Sequence, residues 1–456
     1  MIDLRVALTA VALGWAGLAG AQALAPAATT PGAASSGAPT QSGFLAITQG
    51  IGESDNIFDT ASDRVSQTYS VTELGLSYNR QGSALTANVN GDFSYLDYLQ
   101  GAYDGQWFGR FDGRTGLSLW DERLKWVLQD DFGQTQLDLY GPLVPSNLQF
   151  TNLLLTGPDL TLRPAEQTLL KLSARYALST YQVSPFDGWR SLENAGIERE
   201  LSAHSSLSLN ADFMQMHFDQ AGLNPDYDNN QYYVHYSIAG ARTQVTTSLG
   251  VAQDNFGGGW FTTPYAAFEA TRQMAHGMSL TLSAGRQITD SGDAFGDLRA
   301  GAAGGVVTAL TTVTMAPYVE NYAAGGWTYS GLRTSLGVTA RWERDTYASA
   351  ALAGTYDLNQ GNVQVFIARH LTPHLTAELR GGYTTARYFE LGFNDDYYTA
   401  SGDIAWQFAR TLTVTVRFDH NTRSASGGTF GYDENRGLVT LTYKPVQSVP
   451  TADLVR

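Results

Sequence analysis

Seven histidines and a scatter of carboxylates are the side chains best suited to acid–base or metal chemistry in this 456-residue chain. A hydrolase would need one imidazole beside a Ser hydroxyl, with a carboxylate behind the ring to orient it. Local spacing forces no Ser beside His204, His217, His235, His276, His370, His374 or His420, so they read as solvated or interfacial and no catalytic residue is assigned. Asp395 and Asp396, with Asp226 and Asp228, could hold calcium or bridge divalent ions to lipopolysaccharide. They lack the ligand spacing and the tight Gly turn of a calcium loop, and read as hydrated acidic loops. Gly257-Gly258-Gly259 and Gly304-Gly305 have no strand–helix context for a phosphate loop and read as bends or loop tips. The absence of Cys excludes disulfides, thiolate metal sites and a lipoprotein anchor. A net charge of −15 argues against nucleic acid, because neutralising phosphates needs clustered Lys and Arg. Neither an enzyme nor a bound cofactor or metal is expected.

A second group of polar residues points to work of another kind. Asn88, Asp92, Lys171, Arg175, Asp212, Glu378, Arg380, Arg417 and Asp419 stand inside stretches where apolar and polar residues alternate. Such stretches are Leu85–Tyr95, Leu170–Leu178, Leu207–Phe213, Leu375–Tyr383 and Leu412–Asp419. The strands read from these runs are about 10–15 residues long, beyond the modal strand of a soluble protein and enough for a tilted strand to cross a membrane. One apolar and one polar face per strand places one face in lipid and the other in a wet lumen. By strand parity the nine residues face that lumen, either lining a path for solute or bracing the wall through salt bridges.

The elements that position them follow from the same pattern. Short connections recur at Arg199–Leu207, Arg272–Leu280, Arg369–Leu375 and Ala409–Leu412. Longer ones, rich in Asp, Asn and Gly, fall at Asp97–Gln106, Ser184–Arg190, Asp219–Asn230, Leu391–Asp396 and Arg423–Asp433. Short periplasmic turns and long outer loops predict an all-β fold: a transmembrane antiparallel up-and-down β-barrel of about 18–22 strands. Thr151–Arg163 and Ala294–Val307 are the stretches hardest to assign. Aromatics cluster at strand ends, among them Tyr95, Tyr98, Trp107, Phe108, Phe186, Trp189, Tyr232, Tyr233, Trp260, Phe261, Tyr388, Phe389, Tyr397 and Tyr398. They read as an interfacial girdle, with stacking platforms for sugars as the sharper alternative.

At the N-terminus, one Arg and the apolar run Val6–Gly20 precede Ala19-Gly20-Ala21, a small-x-small cleavage pattern. Residues 1–21 are therefore expected to be a signal peptide, 22–42 a flexible Ala/Pro/Ser/Thr linker, 43–445 the barrel and 446–456 a C-terminal tail. The expected location is the Gram-negative outer membrane, reached through the periplasm.

Two segments carry a family resemblance. Gly52-Glu-Ser-Asp55-Asn56-Ile57-Phe58 resembles the segment after the first strand of outer-membrane β-barrel porin families. Asn421-Thr-Arg423-Ser424, Tyr432-Asp-Glu-Asn435 and the ending Tyr443-Lys-Pro445 are similar to their last strands. These families include barrels associated with exopolysaccharide and PEP-CTERM loci. The resemblance implies a conduit for export of a hydrophilic polymer, with no catalytic residues. Its expected partners are outer-membrane lipid and lipopolysaccharide, a periplasmic polysaccharide-export protein, and the barrel-assembly machinery. A general diffusion porin and a structural or adhesive surface barrel are the alternatives. The porin alternative predicts an inward-folded constriction loop, and no connection stands out in the sequence by its length.

Overall fold

The computed structural model describes residues 40–120, 123–138, 141–142, 144–220, 222–292, 314–347, 356–389, 392–426 and 431–445. The expected signal peptide (1–21), the tail (446–456), Ala294–Val307 and Gly304-Gly305 lie outside them. Twenty strands are present among the described residues. The first ten are β1 (Thr40–Ser54), β2 (Gln67–Gln81), β3 (Leu85–Tyr98), β4 (Gln106–Trp120), β5 (Leu124–Gln136), β6 (Leu148–Ala165), β7 (Thr168–Tyr181), β8 (Gly188–Ser202), β9 (Ser205–Phe218) and β10 (Tyr227–Ala239). The second ten are β11 (Thr243–Phe256), β12 (Gly259–Gln273), β13 (Met278–Thr289), β14 (Tyr318–Ser330), β15 (Thr334–Tyr347), β16 (Leu358–Thr372), β17 (Leu375–Tyr388), β18 (Phe393–Ala409), β19 (Leu412–Ala425) and β20 (Tyr432–Tyr443). Every strand pairs antiparallel with the next, and β1 closes on β20 from Ile47↔Tyr443 to Ser54↔Arg436. The sheet therefore closes on itself, and every strand has a hydrogen-bonded neighbour on both sides, which a bilayer demands.

Period-2 alternation becomes two surfaces. Leu209, Leu249 and Leu379 are 58%, 61% and 62% exposed on the outside of the wall, while their sequence neighbours point inward. So much bare apolar surface around the whole circumference is a lipid face. A 15-residue strand is about 50 Å long and, tilted by roughly 40°, rises about 38 Å, more than the ~25 Å apolar band. The surplus stands above the membrane and carries the loops. With twenty such strands about 4.8 Å apart, the wall lies roughly 20 Å from the barrel axis. Wall side chains alone cannot fill a lumen of that width.

The described strands move one boundary and settle two further points. β1 begins at Thr40, inside the segment read as linker, because its residues up to Ser42 already pair with β2. Thr151–Arg163 lies within β6. One outer connection is tight: Gly257 and Gly258, at φ 66° and 83°, form the two-residue turn between β11 and β12. Positive φ at both central positions is what such hairpins require, and Gly supplies it without strain.

The two segments that carry the family resemblance meet where the barrel closes. Asp55 accepts hydrogen bonds from the Asn435 backbone N–H (2.8 Å) and from Asn435 Nδ2 (2.7 Å). Ser54 Oγ donates to Glu434 (2.6 Å), and Asn56 Nδ2 donates to the carbonyls of Asp433 (3.0 Å) and Thr60 (2.8 Å). Ile57 is buried against Tyr69 and Tyr98. Residues far apart in sequence thus form a latch across the β1–β20 seam.

Candidate functional site

The inner wall is lined by charges paired across neighbouring strands or with the next inward residue of the same strand. Lys171 meets Glu198 at 2.6 Å, and Arg175 meets Asp159. Arg380 pairs with Glu378, Arg417 with Asp419 at 2.8 Å, and Asn194 donates to Asp212. Asn90 donates to Asn88 at 3.0 Å, and Asp92 stands opposite Arg110 in the ladder. All nine residues singled out by parity thus lie on the inward side, and most are engaged with a partner. Arg341 with Glu320 and Glu343, and Arg436 with Glu434, extend the same arrangement to positions the alternation had not singled out. The cross-strand partners depend on strand register, which a single strand's sequence does not encode, whereas Arg380 with Glu378 and Arg417 with Asp419 are two residues apart in one strand.

At the outer end, described residues of several connections bond to the inner side of the wall. The longest, residues 290–317 between β13 and β14, is anchored across the barrel by Asp290. Its carboxylate accepts from Arg190 Nη1 (3.1 Å) and Nη2 (3.2 Å) on β8 and from Tyr227 Oη on β10. Both members of the Arg190–Asp290 ion pair are sealed from solvent, with side chains 1% and 0% exposed. At the far end of this connection, Met315 packs among Tyr181, Phe186, Met214, Met216, Phe218 and Tyr227, and Tyr181 Oη approaches its sulfur at 3.3 Å. A second connection, between β5 and β6, reaches toward β19. Arg423 Nη1 donates to the Gly141 carbonyl at 2.6 Å, while its Nε and Nη2 grip Asp395. Asn147 holds this loop in shape through the backbone of Asp138 and the Pro142 carbonyl. No connection stood out by its length in the sequence, yet residues 290–317 separate β13 from β14, the longest interval between consecutive described strands.

A third connection, residues 55–66, packs inward against Tyr69 and Tyr98. It buries Asp59, which adopts φ 54°. Burial pushes the Asp59 carboxyl up to about 7, the nearby Glu434 carboxylate adds to the rise, and Arg436 opposes it.

The aromatic clusters divide by parity. Trp107, Tyr232, Trp260, Phe389 and Tyr398 are exposed on the outer surface, as a girdle requires. Their neighbours Phe108, Phe186 and Tyr388 are buried on the inner side. The girdle reading thus covers about half of these rings; the rest pack at the mouth of the lumen. A lower belt includes Trp120, Trp126, Trp406 and Phe408.

The groups considered for chemistry have structural partners. Asp395 is held by Arg423, Asp396 accepts from Tyr383 Oη at 2.7 Å, and Asp226 accepts from the Phe218 backbone N–H and meets His217 at 2.6 Å. Strand pairing brings Ser248 to His235 (2.9 Å), which local spacing did not foresee, but no carboxylate is hydrogen-bonded to that ring among the described residues.

Residues 321–445 match the family described as "Putative beta-barrel porin 2". No curated protein matches the sequence. Among solved structures, OccK2 (OpdF) of Pseudomonas aeruginosa is similar at 11% identity over 89% of this chain and 98% of its own, with a TM-score of 0.37. The FrpB iron transporter of Neisseria meningitidis matches at 9% identity over 88% of this chain and 82% of its own, with a TM-score of 0.45. The siderophore receptor PirA of Pseudomonas aeruginosa gives 10% identity over 88% and 80%, with a TM-score of 0.43. The stretch that closes the barrel, with its half of the seam latch, is thus the part that matches a β-barrel porin family, and the protein is an outer-membrane β-barrel.

Proposed function

We propose that this barrel is a passive porin for small hydrophilic solutes, with a path narrowed at its outer end where Asp290, Met315 and Gly141 are held on the inner side of the wall. The observation that carries the reading is the pair of inward anchors, Asp290 on Arg190 and Gly141 on Arg423. Each ties a described residue of a connection to a strand other than the two it joins, on the inner side of the wall. A polymer conduit, the expectation attached to the family resemblance, calls for the opposite, a mouth that a chain can leave without being caught. The paired wall charges suit hydrated solutes, since they offer many weak contacts and no deep site. Acidic residues outnumber basic ones, 43 to 28, which favours cations over anions among charged solutes.

Osmotic swelling of liposomes carrying the refolded barrel tests this. Monosaccharides and disaccharides should enter rapidly and long oligosaccharides should not. Equal entry of a long dextran would return the reading to a polymer conduit, and entry of nothing would leave a closed structural barrel.

A further inference from the structure

One hydrogen-bonded row on the outer surface breaks the apolar pattern. Register places Ala266, Arg286, Asn321, Arg344, Asn359, Arg387 and Asn394 opposite one another in succession across β12 to β18. From Arg286 onward, Arg and Asn alternate. All six belong to the outward parity class: in β15 they follow Val338 and Trp342, in β16 Ile367, Val365 and Val363, and in β17 Leu379. Each lies within a turn or so of residues of its strand's outer end, so the row crowns the apolar band at headgroup level. Strands are about 4.8 Å apart, which sets successive arginines roughly 10 Å from one another.

None of the three guanidiniums forms an ion pair among the described residues. Arg344 lies over the Phe389 ring at 5.3 Å, and Arg286 hydrogen-bonds Asn321 Oδ1 (2.7 Å) and Thr263 Oγ1 (2.9 and 3.0 Å). Asp396, the outward carboxylate near the end of the row, accepts from Tyr383. Cations without carboxylates at a lipid surface call for an anion from the lipid.

Below the row is a place for the rest of such a molecule. The β12–β13 ladder ends at Ala266↔Arg286, short of Pro264, although both strands run on. Pro has no N–H to offer a ladder. Ile288 closes the gap from within, against Ala252 and Val319. On the outside a groove of about 780 Å³ remains, lined by Arg286 and Arg344 above and by Leu249, Ala266, Phe268 and Trp342.

We propose that this groove and row bind a phosphorylated glycolipid of the outer leaflet, its phosphates on the arginines and an acyl chain along the apolar lining. Guanidinium forks suit phosphate, and each basic group at a membrane surface adds to the attraction. The proposal rests on the outer-membrane placement and is independent of what the lumen passes.

Native mass spectrometry of the full-length mature barrel, with diphosphoryl lipid A, dephosphorylated lipid A and phosphatidylethanolamine as probes, tests it. The diphosphoryl form should be retained at least about ten-fold more than either other lipid. Arg344→Gln with Arg387→Gln, which leaves the Arg286 seam intact, should remove most of that preference. Heat-modifiable mobility on gels would show that the variant is folded. Equal retention of the dephosphorylated lipid, or an unchanged preference in the variant, would overturn the proposal. Full displacement by millimolar inorganic phosphate would overturn it too, because the site would then be one for a free anion. Loss of lipid A binding with normal sugar swelling would leave the porin reading standing.

Discussion

Arg190→Ala should widen the path. The substitution leaves the Asp290 carboxylate without its guanidinium at a site sealed from water, and breaking a buried pair from one side costs about 3–5 kcal/mol. The cost can be escaped locally. If the 290–317 connection lifts off β8, Asp290 regains water, while the wall keeps its ladders because β8 remains paired along its length with β7 and β9. Single-channel conductance should therefore rise, by roughly two-fold if the loop takes up a substantial part of the cross-section, and the barrel should keep its heat-modifiable mobility. Asp290→Asn should act in the same direction more mildly, because the amide can still bond Tyr227. An Arg190→Ala barrel that is folded and has unchanged conductance would mean that this loop does not limit passage.

The 55–66 connection should loosen as the pH rises. Asp59 has its carboxyl pushed up to about 7 in the docked loop, against an ordinary value of 3.8. For an acid raised on docking, the protonated form is the one the docked loop favours. Its contribution is fully present below the ordinary value, and it is lost as pH climbs through about 7. The interval corresponds to about 4 kcal/mol as an order of magnitude, enough to shift a docked loop to a mostly released one. Channel recordings should therefore be quiet at pH 5.5 and show frequent current steps at pH 8.5. Asp59→Asn removes the charge and tolerates the positive φ at this position, so its recordings should stay quiet across the range. Current steps in the variant that match the wild type at pH 8.5 would assign them to another group.

Much of the barrel is legible in its sequence because a strand with one face in lipid has little freedom. Parity put Lys171, Arg175, Glu378 and Arg380 on the inward side from local pattern alone, and the outward leucines fix the register against slipping. The same rule, applied to adjacent aromatics, would have separated Trp107 from Phe108, since two neighbours in one strand cannot both face lipid. Pairings between strands were beyond reach. Arg175 meets Asp159 and Arg190 meets Asp290 through register and loop path, which depend on closure of the whole sheet. The family segments around Asp55 and Asn435 were visible as motifs, but their purpose as a latch needed the two ends to meet. The row of outer arginines has the same character: Arg286, Arg344 and Arg387 stand far apart in sequence and line up only across the ladder.

Planar-bilayer conductance of the refolded mature barrel, with neutral polyethylene glycols of graded size as probes, bears most directly on a lumen narrowed but open. A steady open conductance is expected, lowered by small glycols that enter and unaffected by larger ones, with the cut-off moving to larger glycols in Arg190→Ala. Silence from a folded barrel, or entry of glycols as large as the twenty-stranded wall alone would admit, would contradict it.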